Sequence, residues 1–260
     1  MAIYNSIGQQ YSKTRVPDCR IVDRLIALLD LSPGSTIADL GAGTGGYSTA
    51  LADRRFIIKA IEPSIVMQNQ AIEHPQINWF NDWAENLSLP SKSVDGLVST
   101  LAIHHFADLK KAVREMHRVV KDGAIVLLTF DIRLAQKIWL YDYFPFLWED
   151  AARFLPLDEL INLIHLHTHR RVEAIPFLVP EDLSDLFAAA AWKRPEMYLS
   201  PQVRAGISSF AIADRALVDR GVNLLDRDLH SGEWAKKCSD IHNSSEIDLG
   251  YRFIRATLDR

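Results

Sequence analysis

Between residues 36 and 46 the chain reads Thr-Ile-Ala-Asp-Leu-Gly-Ala-Gly-Thr-Gly-Gly, and nothing else in its 260 residues limits the fold as tightly. The first five residues have the pattern of a short buried strand, and residues 47–54 that of a helix. The turn between them holds Gly41, Gly43, Gly45 and Gly46, four glycines in six residues. Glycine loses more backbone freedom on folding than any other residue and brings no side chain to pack. A turn this rich in it is explained by positive φ angles and by close approach to a ligand, with the free N–H groups of the following helix at hand.

Around this turn the apolar pattern alternates between two periods. Helical spacing covers residues 21–31, where Ile21, Leu25, Leu28 and Leu29 share a face before the Ser32-Pro33-Gly34 stop. Further helices are predicted at 64–71, 109–120 and 157–166, and strands at 56–62, 77–80, 94–100, 124–130, 172–178 and 250–256. Strands that are apolar throughout and separated by helices imply parallel βαβ units in a doubly wound sheet. Two stretches break the rhythm. Residues 132–156 are dense in aromatic side chains, and residues 181–245 read as helical, an insertion ahead of the last strand.

Composition narrows the class of partner. Lys and Arg number 29 against 33 Asp and Glu, a net charge of −4. A nucleic-acid binder usually carries a basic face, so a nucleic-acid partner is not expected. Two cysteines, Cys19 and Cys238, give neither a disulfide framework nor metal-type spacing, which suits a reducing, cytoplasmic setting. No apolar run reaches the roughly 20 residues of a membrane span, and the first residues lack the apolar core of a secretory leader. A soluble protein, monomeric or dimeric, is the expectation. His165, His167 and His169 alternate near a helix end, but a metal site needs converging side chains, so no metal is expected.

Gly41, Gly43 and Gly46 also fit the G-x-G-x-x-G spacing of dinucleotide sites, and Glu62 follows Gly41 by 21 residues at a strand end, where a carboxylate can accept from ribose hydroxyls. Spacing alone therefore allows NAD or another adenosine ligand. Asp39, facing the loop, would repel a pyrophosphate and favours a ligand with a sulfonium or ammonium charge.

The run Asp39 to Gly45 resembles the D-x-G-x-G-x-G signature of class I S-adenosylmethionine-dependent methyltransferases, in particular the small-molecule branch that includes ubiquinone/menaquinone methyltransferases. Further segments follow in family order: Ile61-Glu62-Pro63-Ser64, Ala84-Glu85-Asn86-Leu87, Ser91-Lys92-Ser93-Val94-Asp95, Leu101-Ala102-Ile103-His104-His105-Phe106, and Glu115 through Gly123. The resemblance covers residues 35–131. It implies an α/β, Rossmann-like fold with a seven-stranded, mostly parallel sheet, helices on both faces and a helical insertion or lid. Residues 1–34 would form a helical segment covering the cofactor, residues 35–180 the cofactor-binding core with an aromatic lid at 132–156, residues 181–245 the insertion, and residues 246–260 the last strand.

The resemblance also implies roles. S-adenosyl-L-methionine would be the cofactor, its methionine part held by Asp39, Gly41 and Gly43 with Ala42 beside them, and its ribose by Glu62 next to Pro63. Ala84 would face the adenine through its backbone, and Leu101 would line the methyl-transfer cleft. The family often places an acidic residue just before the Ala-Glu pair. Here Trp83 stands there, so that either Asp82 takes over or Trp83 packs on the purine. Tyr11 and Arg15 could close on the cofactor carboxylate, Arg15 as a bidentate partner. His105 and His104 are the candidates for a general base.

Trp139, Tyr143 and Trp192 are candidates for the walls of a substrate pocket, although such aromatics can equally fill the insertion's own core. Ser99-Thr100-Leu101-Ala102 stands where base-modifying relatives carry an Asn-Pro-Pro-Tyr-type motif, and two distant cysteines do not suit arsenic methylation. The expected reaction is methyl transfer to a small, apolar or amphipathic organic molecule at O, N or C. A catalytically silent S-adenosylmethionine-binding protein and an NAD-dependent oxidoreductase are the alternatives.

Overall fold

A computed structural model describes residues 12, 14–152, 154–241 and 243–258. Helix α1 (Cys19–Leu29) starts where Asp18 accepts from the Arg20 backbone N–H, and it ends at Asp30, which takes a left-handed conformation. Its apolar face, Ile21, Val22, Leu25, Leu28 and Leu29, is buried against the sheet. The segment expected to cover a cofactor therefore contains, at residues 19–29, a helix that covers the sheet.

The core follows as β1 (Thr36–Leu40), α2 (Gly46–Ala52), β2 (Ile57–Ile61), α3 (Ile65–Gln68), β3 (Ile77–Phe80), β4 (Gly96–Thr100), α4 (Leu109–Val119) and β5 (Ile125–Phe130). Helix α3 is shorter than the 64–71 read from sequence. It ends at its C-cap Asn69. Two short helices, α5 (Leu140–Tyr143) and α6 (Phe146–Ala151), lead to α7 (Leu157–Thr168) and β6 (Arg171–Pro176). After β7 (Val179–Pro180) come α8 (Pro201–Ala205), α9 (Ser208–Ile212), α10 (Arg215–His230) and α11 (Glu233–Lys237), then β8 (Glu246–Ile247) and β9 (Tyr251–Thr257).

The seven-stranded sheet runs β3-β2-β1-β4-β5-β9-β6. The first five strands in that order pair in parallel, Thr36 opposite Ile57 and Ile37 opposite Gly96. Strand β9 lies antiparallel between β5 and β6, as the family resemblance implies for the last strand. Strand order reverses between β1 and β4. Their carboxyl ends therefore flank the crevice where open α/β sheets take ligands.

The insertion hangs from a two-stranded clasp in which Val179 pairs with Ile247. The aromatics of 132–156 pack into it. Phe144 meets Phe210 edge to face with centroids 4.9 Å apart, and Trp139 meets Trp234 at 5.5 Å. Trp192 is fully buried and donates its indole N–H to the Val179 carbonyl at 3.0 Å. Helix α10 crosses α5 at Gly221, where a Cβ would lie 2.4 Å from the Tyr143 carbonyl oxygen and 2.6 Å from the Phe144 ring. Only glycine allows that approach. Gly221→Ala is expected to lower unfolding free energy by about 1–3 kcal/mol, the usual cost of overpacking a tight contact, read as a lower midpoint in urea with an unchanged slope.

Candidate active site

The glycine turn is tied down by backbone bonds before any ligand is considered. Gly41 and Ala42 N–H both donate to the Ile61 carbonyl, at 2.9 and 3.0 Å, so the end of β1 is stitched to the end of β2. Gly41, Gly43 and Gly45 all have positive φ, the region that glycine enters without a Cβ penalty. A Cβ on Gly41 would fall 2.4 Å from the Cβ of Ala102. The turn after β1 and the segment after β4 thus pass as closely as two backbones with one small side chain can.

Glu62 completes the wall. Its Oε2 accepts from Gly43 N–H at 3.0 Å and its Oε1 from Ser64 N–H at 2.8 Å. Burial nevertheless raises its pKa, the two N–H bonds offsetting that effect only in part. Behind the turn Asp39 is 2% exposed and accepts from the Ser48 hydroxyl at 2.6 Å. Burial, reinforced by the charge of Glu62, pushes it up to about 6. Two carboxylates held in a low-dielectric setting favour a cationic neighbour.

A cavity of about 490 Å³ opens over these groups, within the range of small-molecule and cofactor sites. The structure brings nine of the sequence-derived candidates to its wall: Gly41, Gly43, Glu62, Pro63, Asp82, Trp83, Ala84, Leu101 and His105. Asp82 turns one oxygen to the backbone N–H and hydroxyl of Ser88, at 2.7 and 2.6 Å. Trp83 is 45% exposed at the same wall. Met67 and Phe106 also line it, though sequence reasoning gave them no role. Phe106 closes the quoted Leu101–Phe106 segment, but Met67 on α3 carries no sequence signal beyond its apolar character.

Other candidates fall elsewhere. Asp39 and Ala42 lie outside the cavity lining, Asp39 turned to Ser48 and Ala42 packed against the main core. Arg15 pairs with Asp185 of the insertion through Nε and Nη2, and the Tyr47 hydroxyl donates to the same carboxylate at 2.9 Å. That bidentate partner, in place of a cofactor carboxylate, fixes its position. Tyr11 lies outside the described residues. Trp192 is sealed in the insertion core, where its carbonyl accepts from the Trp139 indole at 2.7 Å, and the Tyr143 hydroxyl donates to Asp228 at 2.8 Å. None of these three lines that cavity, but Trp139 and Tyr143 line a separate one of about 430 Å³ together with Lys237 and Cys238.

Leu101 holds φ at +53°, strained backbone for a branched side chain, and its N–H donates to the Leu128 carbonyl at 2.8 Å. It separates the cavity from a smaller hollow of about 50 Å³. The two histidines that follow, on the turn Ile103–His105, part at this wall. His105 lines the cavity and His104 the hollow, stacked on Phe154 at 4.7 Å. Burial pushes His105 down to about 4 and holds His104 well below its ordinary value, so both rings are neutral at pH 7.

Asp39 supplies a pH test. Its folded pKa of about 6 exceeds the ordinary 3.8, so its favourable contribution is complete below the lower value and is lost as pH rises through the higher. Asp39→Asn keeps a carbonyl oxygen for Ser48 and does not ionise. Between pH 5 and 7 the variant should gain about 1 kcal/mol on the parent protein, measured by urea unfolding at both pH values. No change in the difference would mean that Asp39 is not shifted.

Comparison with known proteins places this architecture. A family model described as a methyltransferase domain matches residues 38–128. A crystal structure from Anabaena variabilis, named as a methyltransferase from an antibiotic biosynthesis pathway, is 66% identical and covers 94% of this chain and 99% of its own, with a TM-score of 0.93. The ubiquinone/menaquinone biosynthesis C-methyltransferase of Rubrivivax gelatinosus is 36% identical over 104 residues, 38% of this chain and 41% of that protein. The match thus spans less than half of that relative. Haemonchus contortus phosphoethanolamine N-methyltransferase 2, solved in complex with S-adenosyl-L-methionine, shares the fold at 14% identity and a TM-score of 0.60, covering 93% of this chain and 53% of its own.

Proposed function

The chain belongs to the class I S-adenosylmethionine-dependent methyltransferases, and from that premise we propose that it transfers the methyl group to a small, apolar or amphipathic organic acceptor. S-adenosylmethionine is the cofactor, so the NAD reading that glycine spacing left open falls away. We assign the cofactor to the 490 Å³ cavity. The observation that carries this assignment is Glu62, anchored by Gly43 and Ser64 in the cavity wall. Each of its oxygens keeps a second lone pair for a ribose hydroxyl.

The residues present fit the group. The missing side chain at Gly41 leaves the backbone bare where the methionine part would lie, and a Cβ there would already collide with Ala102. Glu62 and Asp39 supply negative charge near a sulfonium and ammonium. Trp83 offers an exposed indole face to the adenine, with Asp82 beside it. When bound, the cofactor supplies an electrophilic methyl group on a cationic sulfur.

The protein's share of the chemistry is then alignment and exclusion of water. Leu101 forms the partition across which the methyl must pass, and its strained backbone sets that wall. His105, neutral at physiological pH, can accept a hydrogen bond on the cofactor side. A small organic acceptor is supported by the aromatic lining of the hollow beyond Leu101 and by the net charge of −4. The name of the Anabaena variabilis protein, which refers to antibiotic biosynthesis, agrees with it. Among the described residues, no helix is long and apolar enough to cross a membrane.

Calorimetric titration tests the assignment. S-adenosylmethionine and S-adenosylhomocysteine should bind and NAD should not. Glu62→Ala is expected to weaken both at least tenfold, about 1.4 kcal/mol or more, while Trp192→Phe leaves them unchanged. Affinity for S-adenosylmethionine should also rise from pH 5 to 7 as Asp39 loses its proton near 6. The rise should be smaller for S-adenosylhomocysteine, which lacks the sulfonium charge. Unchanged binding by Glu62→Ala would move the cofactor out of this cavity.

A further inference from the structure

The hollow beyond Leu101 carries polar groups that the fold leaves unused. Tyr251, on β9, lines it and is 2% exposed, and its hydroxyl has no hydrogen-bond partner among the described residues. The same holds for both ring nitrogens of His104 and for the Ser208 hydroxyl, all three residues lining the same space. His104 and Ser208 are half-buried and Tyr251 is buried, so a ligand filling the hollow would take these groups out of reach of water and would have to meet their hydrogen bonds.

Two charged side chains of the described residues near the hollow are already answered. Arg15 is held by Asp185, and Asp150 accepts from Ser209 at 2.6 Å. The rest of the wall is mainly apolar, with Leu101, Ala188 and Ile207 beside three phenylalanines. Phe130 and Phe154 meet edge to face at 5.4 Å, and Phe187 packs on Tyr251 at 4.5 Å.

Resting on the cofactor assignment above, we propose that this hollow is the acceptor subsite, and that it selects the hydroxyl-bearing edge of an uncharged aromatic molecule, held by Tyr251, His104 and Ser208. About 50 Å³ takes such an edge and leaves the rest of the acceptor outside. Apolar cavities about three times larger hold a whole benzene. Among the described residues lining the hollow, the cation is Arg15, and Asp185 already pairs with it, which disfavours an anionic acceptor. A ring without a hydroxyl leaves the Tyr251 hydroxyl and the His104 nitrogens unpaired, and sites of this kind discriminate strongly against the analogue that lacks the polar group.

The transfer balances on these residues. The acceptor oxygen bonds to the methyl carbon while the carbon–sulfur bond breaks, its electron pair remaining on sulfur. The hydroxyl proton passes to a ring nitrogen of His104. One positive charge leaves sulfur and one appears on the imidazole, so the net charge inside the site does not change. This assigns the proton to His104, while His105 remains on the cofactor side of Leu101.

The test is binding to the whole protein saturated with S-adenosylhomocysteine, using 4-nitrophenol, nitrobenzene and 4-nitrobenzoate as probes in equilibrium titrations at about pH 5.5, where the phenol is uncharged and the benzoate is not. The phenol should bind at least tenfold more tightly than the other two. Tyr251→Phe, His104→Gln and Ser208→Ala should each cut that preference by fivefold or more, with S-adenosylhomocysteine affinity within twofold of the parent, which also shows that the variants are folded. Nitrobenzene binding as tightly as 4-nitrophenol, no binding of any probe, or a preference that survives Tyr251→Phe would overturn the subsite. Failure of S-adenosylhomocysteine itself to bind would overturn the cofactor assignment on which the subsite rests.

Discussion

The width of the site is set by one close approach, that of the Gly41 backbone to Ala102. Strands β1 and β4 are hydrogen-bonded neighbours, and the chain leaves their ends in opposite directions across the sheet. A side chain at position 41 would force these segments apart and shift whatever lies on both. Glu62 answers from the third side, since it holds the turn through Gly43 and the start of the next segment through Ser64. One carboxylate therefore fixes the relation between two loops, and its burial is tolerated because backbone N–H groups meet it.

The insertion is joined to this core through charge and through apolar packing. Arg15 and Tyr47, one ahead of α1 and the other on α2, both bond to Asp185. That carboxylate is 1% exposed, and a buried acid of this kind is costly unless paired as fully as it is here. Aromatic packing does the rest, with Phe144, Phe146 and Phe210 arranged edge to face. The site is therefore bounded on one side by backbone geometry of the sheet and on the other by side chains of a separately packed helical layer.

Much of the sheet was legible in the sequence because parallel strands buried on both faces are apolar throughout. Strands β1 and β3 fall on the expected residues, and the glycine turn falls where glycine spacing put it. The cavity wall was legible for the same reason, since turns at strand ends carry the residues that the family motifs mark. The aromatic side chains were less legible. Trp192 is sealed in the insertion core, while Trp139 and Tyr143 line a cavity separate from the one over the glycine turn. Phe130, Phe154 and Tyr251 line the hollow instead, and they come from β5, from the segment before α7, and from β9. No periodicity links residues so far apart in the chain. Only the antiparallel register that sets Phe130 opposite Tyr251 brings two of them together.

The clasp of β7 and β8 has a consequence for how such a protein can change. The chain leaves for the helical layer at Pro180 and comes back at Glu246, and these two residues are paired. The layer is thus spliced in at a single point of the scaffold. Lengthening or replacing a segment whose ends are already adjacent costs little chain entropy, about 0.6 kcal/mol for each doubling of a flexible loop. The sheet that carries the glycine turn can then stay constant while the helical layer is exchanged, in the manner of a tool with one handle and interchangeable heads.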